Sequence, residues 1–371
     1  MKAVGIICEY NPMHNGHIYH IQKVRELYPD YVIVLVMSGN FTQRGDASLI
    51  DKWKKCEIAL NYVDLVVELP FVYATQAADI FTSMGCEILK HLGISAFVFG
   101  SESNDIEMLK RMVLLQDSPE YQIRVKNYLA QGKNYPTSMS LALEDLGGMA
   151  ISKSNDLLGL GYVRGFRNTN IEVRTIKRTN DYNDEGLVGN ITSATSIRKA
   201  LRNGVSVCDY VPSVTYDNLN NLHFMDDYFD LLKYKIISDD DLSKYLGVDE
   251  GIEGRIKKVI LEANNLDDLI KMVKSKRYTY VKLNRMFLHI LCGFTKSEAL
   301  ETRRLEYIRV LGFNLRGKEY LKSIKDYSNI PILTKYEKGF KALDIEKRVC
   351  AIYHIKEDDV LDEYKHKVII R

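Results

Sequence analysis

His14 and His17 stand three residues apart in the stretch Glu9-Tyr-Asn-Pro-Met-His-Asn-Gly-His17. At that spacing on a helix start, both imidazoles can face one bound group. Gly16 between them permits a close backbone approach. Imidazoles, free helix amides and the positive end of a helix dipole together suit an anion, phosphate above all. A pair of histidines that only caps a helix is the plain structural alternative. Zinc is a third reading, but no further Cys or His follows at ligand spacing.

The elements around this turn favour the anion. Val4-Gly-Ile-Ile-Cys8 has the length and composition of a buried parallel strand, and Asn11-Pro12 breaks it. A helix is predicted from about His17 to Tyr28. The histidine turn then lies at the carboxyl end of a strand, where nucleotide-binding α/β folds hold phosphate. Tyr31 to Met37 is a second buried strand. It ends in the polar loop Ser38 to Asp46, whose Gln43 and Arg44 suit a nucleotide or simply solvent. A helix over Asp51 to Tyr62, a strand over Val63 to Leu69 and a helix over Ala74 to Leu92 follow. The short strand Ala96 to Phe99 runs into Gly100-Ser101-Glu102. Such alternation predicts an α/β fold with a parallel sheet and right-handed crossovers.

Residues from Ile106 to about Leu146 read as mostly helical, and Ile151 to Asp156 as a polar connection. Ile171 to Lys177 alternates like a strand and leads to Arg178. Ile191 to Arg198 clusters hydroxyls at a helix start, either a second anion-friendly terminus or an ordinary N-cap. From about Val207 strand patterns fade and helices take over. The expected division is therefore 1–206 and 207–371, the second part mainly α-helical. Within it, Lys274 to Arg285 holds five basic residues, two tyrosines and no acid. Basic side chains neutralise phosphates and tyrosines stack on bases, so this stretch suits RNA, or else is a solvated face.

A length of 371 residues suggests two or three domains. A net charge of only +2 means that any nucleic-acid surface must come from local clustering. The six cysteines include no close pair, so a disulfide scaffold is not expected and a cytoplasmic protein is. No signal peptide is expected, because the sequence opens directly on a strand, and no membrane span, since no apolar run reaches about 18 residues.

Five segments in this order carry a resemblance over essentially the whole length. They are Glu9 to His17, Gly39-Asn-Phe-Thr-Gln-Arg-Gly45, Val67-Glu-Leu-Pro-Phe71, Phe99-Gly-Ser-Glu102 and Ser193-Ala-Thr-Ser-Ile-Arg198. Together they resemble the bacterial tRNA(Met) cytidine acetate ligases, a branch of the HxGH nucleotidyltransferase superfamily. Met13 stands where that family more usually has Phe, and Ala194 where related enzymes have Ser. The resemblance implies a Rossmann-like nucleotidyltransferase domain with a parallel sheet. It implies activation of acetate by ATP, with Mg²⁺, and acetyl transfer to N4 of the wobble cytidine of elongator tRNA(Met). Neither DNA nor a membrane is an implied partner.

Carried over, the ATP site would comprise Ile7, Cys8, Glu9, Tyr10, Asn11, Pro12, Met13, His14, Asn15, Gly16, His17, Ile18, Tyr19 and His20, then Gly100, Asn155 and Arg178. His14 and His17 would be catalytic, and no residue is expected to form a metal cage. Three other readings share some of these features. One is a cofactor-making adenylyltransferase; another is a non-catalytic ATP-binding RNA adaptor. The third is a class I aminoacyl-tRNA synthetase, whose signature Ser152-Lys153-Ser154 matches only in part.

Overall fold

The computed structural model describes residues 1–149, 151, 153–178, 191–275, 277–357, 363 and 365–371. Ser152 and Lys276, both singled out above, lie outside them. Five strands run parallel: β1 (Ala3–Cys8), β2 (Val32–Ser38), β3 (Leu65–Leu69), β4 (Ala96–Ser101) and β5 (Glu172–Lys177). They lie in the order β5-β4-β1-β2-β3. The inner strands are mostly apolar because both their faces are covered. Val32, Val34 and Val36 point into one core, while Ile33, Leu35 and Met37 point into the other.

On the second face lie α1 (Asn15–Leu27), through Ile21 and Val24, and α2 (Lys52–Ala59), through Trp53, Cys56 and Ile58. The first face receives α3 (Ala78–His91) and α4 (Ser154–Phe166), through residues such as Phe81, Leu89 and Leu160. Between β4 and α4, the helical region forms three helices, Ile106–Gln116, Pro119–Ala130 and Tyr135–Asp145.

Residues beyond 207 are mainly helical, as expected, but they also return to the sheet. β6 (Ile308–Phe313) pairs antiparallel with β3, and β7 (Ile332–Leu333) and β8 (Ile369–Ile370) pair with β6. Arg309 interrupts the apolar run of β6, so its sequence does not read as a buried strand. In the fold Arg309 is fully buried, with Glu363 at 3.9 Å. Two later helices matter below: α6 (Tyr280–Cys292) and α7 (Lys341–Tyr353), which follow α5 (Ala194–Arg202) in the chain.

Candidate active site

β1 lies between β2 and β4, so the chain leaves β1 towards one side of the sheet and returns for β4 on the other. The carboxyl ends of β1 and β4 therefore part into a crevice, the usual ligand position in such sheets. The turn 9–14 leaves β1 here. Gly100 and Ser101 end β4, and Arg178 follows β5, whose last residue Lys177 is in register with Ser101. The sequence-predicted residues of all three segments thus meet at one rim.

The turn begins at Tyr10, whose φ of 48° is left-handed and strained for a tyrosine. The Asn11–Pro12 peptide is cis. Asn11 is tied to the next loop: its Nδ2 donates to the Ala47 carbonyl at 3.1 Å and its Oδ1 accepts from the Leu49 amide at 2.8 Å. His14 then caps α1. Its Nδ1 accepts from the Gly16 amide at 3.1 Å, and the His17 Nδ1 accepts from the His14 amide at 3.2 Å. The capping reading is therefore realised through both Nδ1 atoms. Because each Nδ1 is an acceptor, each neutral ring carries its proton on Nε2, which is left as a donor. The two rings lie 3.8 Å apart, and Tyr10 meets His17 edge-on at 4.7 Å. A Cβ on Gly16 would stand 2.8 Å from His14 Cε1, so glycine is what lets the cap close.

These imidazoles are held neutral. Burial, then the guanidinium groups of Arg178 and Arg198, pushes His14 down to about 3. Burial, then His14 and Arg178, holds His17 well below its usual value. Burial and Arg178 push His20 down to about 4. The unfolded chain takes up these protons near pH 6.5, whereas the folded one resists, His20 until about 4 and His14 until about 3. The unfolded state therefore binds more protons in between, and stability falls as pH drops from about 6.5 towards 4. Urea unfolding of a His20→Gln variant should show a smaller loss between pH 7 and pH 5 than the parent. Equal losses would mean that His20 does not carry the effect.

Arg178 is held from its neighbours. Its amide donates to the Ser101 carbonyl at 3.0 Å, and its Nη1 lies 3.4 Å from Asn155 Oδ1. Among the described residues, the buried Arg178 Nε has no hydrogen-bond partner. Asn155 is fixed by Glu102, whose Oε1 accepts from Asn155 Nδ2 at 2.6 Å. Glu102 also caps α4 through the Asn155 and Asp156 amides. Asp156 reciprocates, accepting from Ser101 Oγ at 2.5 Å and from the amides of Glu102 and Ser103. Two crossed carboxylates thus lock the end of β4 to the start of α4. Sequence reading passed over both as site residues, although Glu102 stood in a quoted motif. Their role is visible only once β4 and α4 meet.

Lys55 was also missed, being one of three lysines in a short amphipathic helix. Its Nζ lies within 3.1 Å of the carbonyls of Glu9, Ser38 and Gly39 and of Ser48 Oγ, tying the ends of β1 and β2 together. Burial pushes its amine down to about 7. The hydroxyl cluster before α5 acts as an N-cap: Ser193 Oγ accepts from the Ser196 amide at 3.1 Å. Arg198 on that helix reaches back and donates to the Asn11 carbonyl at 2.9 Å. Among the described residues, no group of three His, Cys, Asp or Glu side chains could hold a metal ion. The zinc reading therefore has no ligand set there.

A family model described as HIGH Nucleotidyl Transferase matches residues 1–367. The protein of Anoxybacillus flavithermus named tRNA(Met) cytidine acetate ligase is 39% identical over 95% of this chain and 94% of its own length. The Clostridium acetobutylicum protein of that name is also 39% identical, over 100% of both chains. The apo crystal structure of Thermotoga maritima TmcAL superposes with a TM-score of 0.92 at 31% identity, covering 100% of this chain and 99% of that one. Its form bound with alpha-thio ATP gives a TM-score of 0.89 over the same coverage. This chain belongs to the HIGH nucleotidyl transferase family, among its tRNA(Met) cytidine acetate ligases.

Proposed function

We propose that this protein is an ATP-dependent ligase that converts acetate to acetyl-adenylate and passes the acetyl group to N4 of the wobble cytidine of elongator tRNA(Met), in the cytoplasm. The observation that supports this reading is a pair of neutral imidazoles, His14 and His17, with ring centroids 3.8 Å apart at the carboxyl end of β1 and near enough to the Arg178 guanidinium to feel its charge. An acetate oxygen attacks the α-phosphorus and pyrophosphate leaves. The cytidine amine then attacks the acetyl carbon, expels AMP and loses a proton.

In this reading His14 and His17 donate to phosphate oxygens and stabilise the charge that grows during the first attack. Their depressed pKa values keep each Nδ1 free of a proton and accepting from its backbone amide, so that Nε2–H remains the donor. Arg178, with a planar fork and an Nε unpaired among the described residues, faces the same tail. Gly100 lies beneath Arg178 and leaves room for base or ribose, and Asn155 offers its amide. The remaining turn residues between Ile7 and His20 line the nucleotide. Mg²⁺ enters with the triphosphate, held by phosphate oxygens and water.

Residues 1–206 would carry the activation and 207–371 would dock the tRNA. The basic stretch supports that division in part. Tyr280 is 44% exposed, Arg277 is exposed, and Lys282 lies 4.0 Å over the Tyr278 ring. Arg285 is instead turned inwards, donating to the Gln43 carbonyl. No helix among the described residues is long and apolar enough to cross a membrane.

The test is incubation with ATP, radiolabelled acetate and bulk tRNA, followed by digestion to nucleosides. Label in N4-acetylcytidine is expected. Unlabelled nucleosides, with exchange of pyrophosphate driven by an amino acid instead, would move the protein to the synthetase reading.

A further inference from the structure

The loop after β2 doubles back as a tight hairpin. The Thr42 amide donates to the Asp46 carbonyl at 2.9 Å, the Ser48 amide to the Asn40 carbonyl at 2.9 Å, and Phe41 bridges to Ala47. Its tip, Gln43-Arg44-Gly45, is pressed against α6. Gly45 has a φ of 81°, and a Cβ there would lie 2.6 Å from the Arg285 nitrogen. Only glycine admits the helix this closely.

Asn284, buried on α6, holds the tip. Its Nδ2 donates to the Arg44 carbonyl at 2.9 Å and to Asp46 Oδ1 at 3.0 Å. Asp46 presents its other oxygen to Arg198 Nη2 at 3.9 Å, and Arg198 Nη1 donates to the Asn11 carbonyl. On the same hairpin, the Gln43 amide donates to Glu9 Oε1 at 2.7 Å. Glu9 and Asn11 belong to the turn that ends on His14. A run of direct contacts therefore leads from the helix offered to RNA to the residues offered to ATP.

We propose that Asn284 is a positioning residue for acetate activation: by anchoring Asp46 it aims Arg198 across the His14–His17 turn. The inference rests on the ligase reading above and assigns part of its site to the C-terminal half of the chain. The chemistry of the residue fits this task. A neutral amide supplies both N–H groups to two oxygens and adds no charge of its own, so Asp46 keeps its attraction for Arg198. A carboxylate at 284 would repel Asp46, and an alkyl group would leave both oxygens unmet.

The experiment measures acetate-driven ATP–pyrophosphate exchange in the full-length protein, in Asn284→Ala, Asp46→Asn and Arg198→Ala variants and in the Asn284→Ala/Arg198→Ala double variant. Urea midpoints and filter binding of tRNA are recorded alongside. Displacing an aligned group by a fraction of an ångström slows chemistry steeply. We expect kcat to fall about 10-fold to 100-fold in Asn284→Ala and in Asp46→Asn, with the KM for ATP changed far less. The double variant should be no slower than Arg198→Ala, because Asn284 then has nothing left to aim. A purely structural role would instead give multiplying losses, and that result overturns the proposal. So does a wild-type kcat in Asp46→Asn, which tests the link even if Asn284→Ala folds poorly. If the parent protein itself shows no acetate-driven exchange, the ligase reading falls and takes this inference with it. If the parent exchanges and the losses multiply, only this inference falls.

Discussion

A His17→Ala variant should lose a factor of about 10² to 10³ in the rate of acetate-driven ATP–pyrophosphate exchange, the usual cost of removing one preorganised donor from a developing charge. The expectation follows from the cap geometry. His17 Nδ1 is occupied by the His14 amide, so only Nε2–H is available to the substrate. Alanine removes that donor and also frees the His14 amide. The second effect is a lost N-terminal cap, worth about 1 kcal/mol of stability. It cannot account for a hundredfold rate loss in a protein that is still folded. Exchange and urea unfolding measured on one preparation separate the two. An alanine variant with the parent's exchange rate would show that the imidazole is only a cap. His14→Ala tests the reciprocal position, where the Gly16 amide loses its acceptor.

Lys52→Met should destabilise the fold by about 3–5 kcal/mol, the cost of breaking a buried ion pair from one side. Lys52 is fully buried, and its Nζ lies 2.8 Å from Glu68, 3.1 Å from Glu363 and 3.3 Å from Glu346. Burial alone would lower its amine; Glu363, Glu68 and Glu346 outweigh this and hold it well above its usual value. Burial, then the nearby Glu68, pushes the Glu346 carboxyl well above the usual carboxylate range. Methionine fills the same space but leaves those carboxylates facing one another in a dry interior. The cluster underlies the site: Gly39, at the base of the hairpin, would bring a Cβ within 3.1 Å of both Glu68 and Glu346. The measurement is the urea midpoint at pH 7. A loss under about 1 kcal/mol would mean that the cluster contributes little.

The histidine turn was legible because its determinants are local. An apolar run bounded by Asn-Pro, then two histidines around a glycine, specify a strand, a break and a helix start within 20 residues. Gly100, Asn155 and Arg178 are different. No spacing links them, and only resemblance to a family brought them together on paper. The basic stretch was half legible: Tyr280 is exposed, but Arg285 points at Gln43. Charge content says nothing about which side of a helix faces a partner 242 residues away.

The amino-acid order alone determined the alternation of strands and helices and the chemistry of the first turn, because backbone periodicity and capping act over a few residues. The tertiary structure decided which charges are buried, that β6 closes the sheet, and that Glu102, Asp156 and Lys55 brace the rim. Lys52 and Arg309 are buried beside carboxylates brought from far along the chain, Glu346 from 294 positions beyond Lys52. Burial of a charge depends on a partner at a few ångströms, and local sequence does not carry that distance.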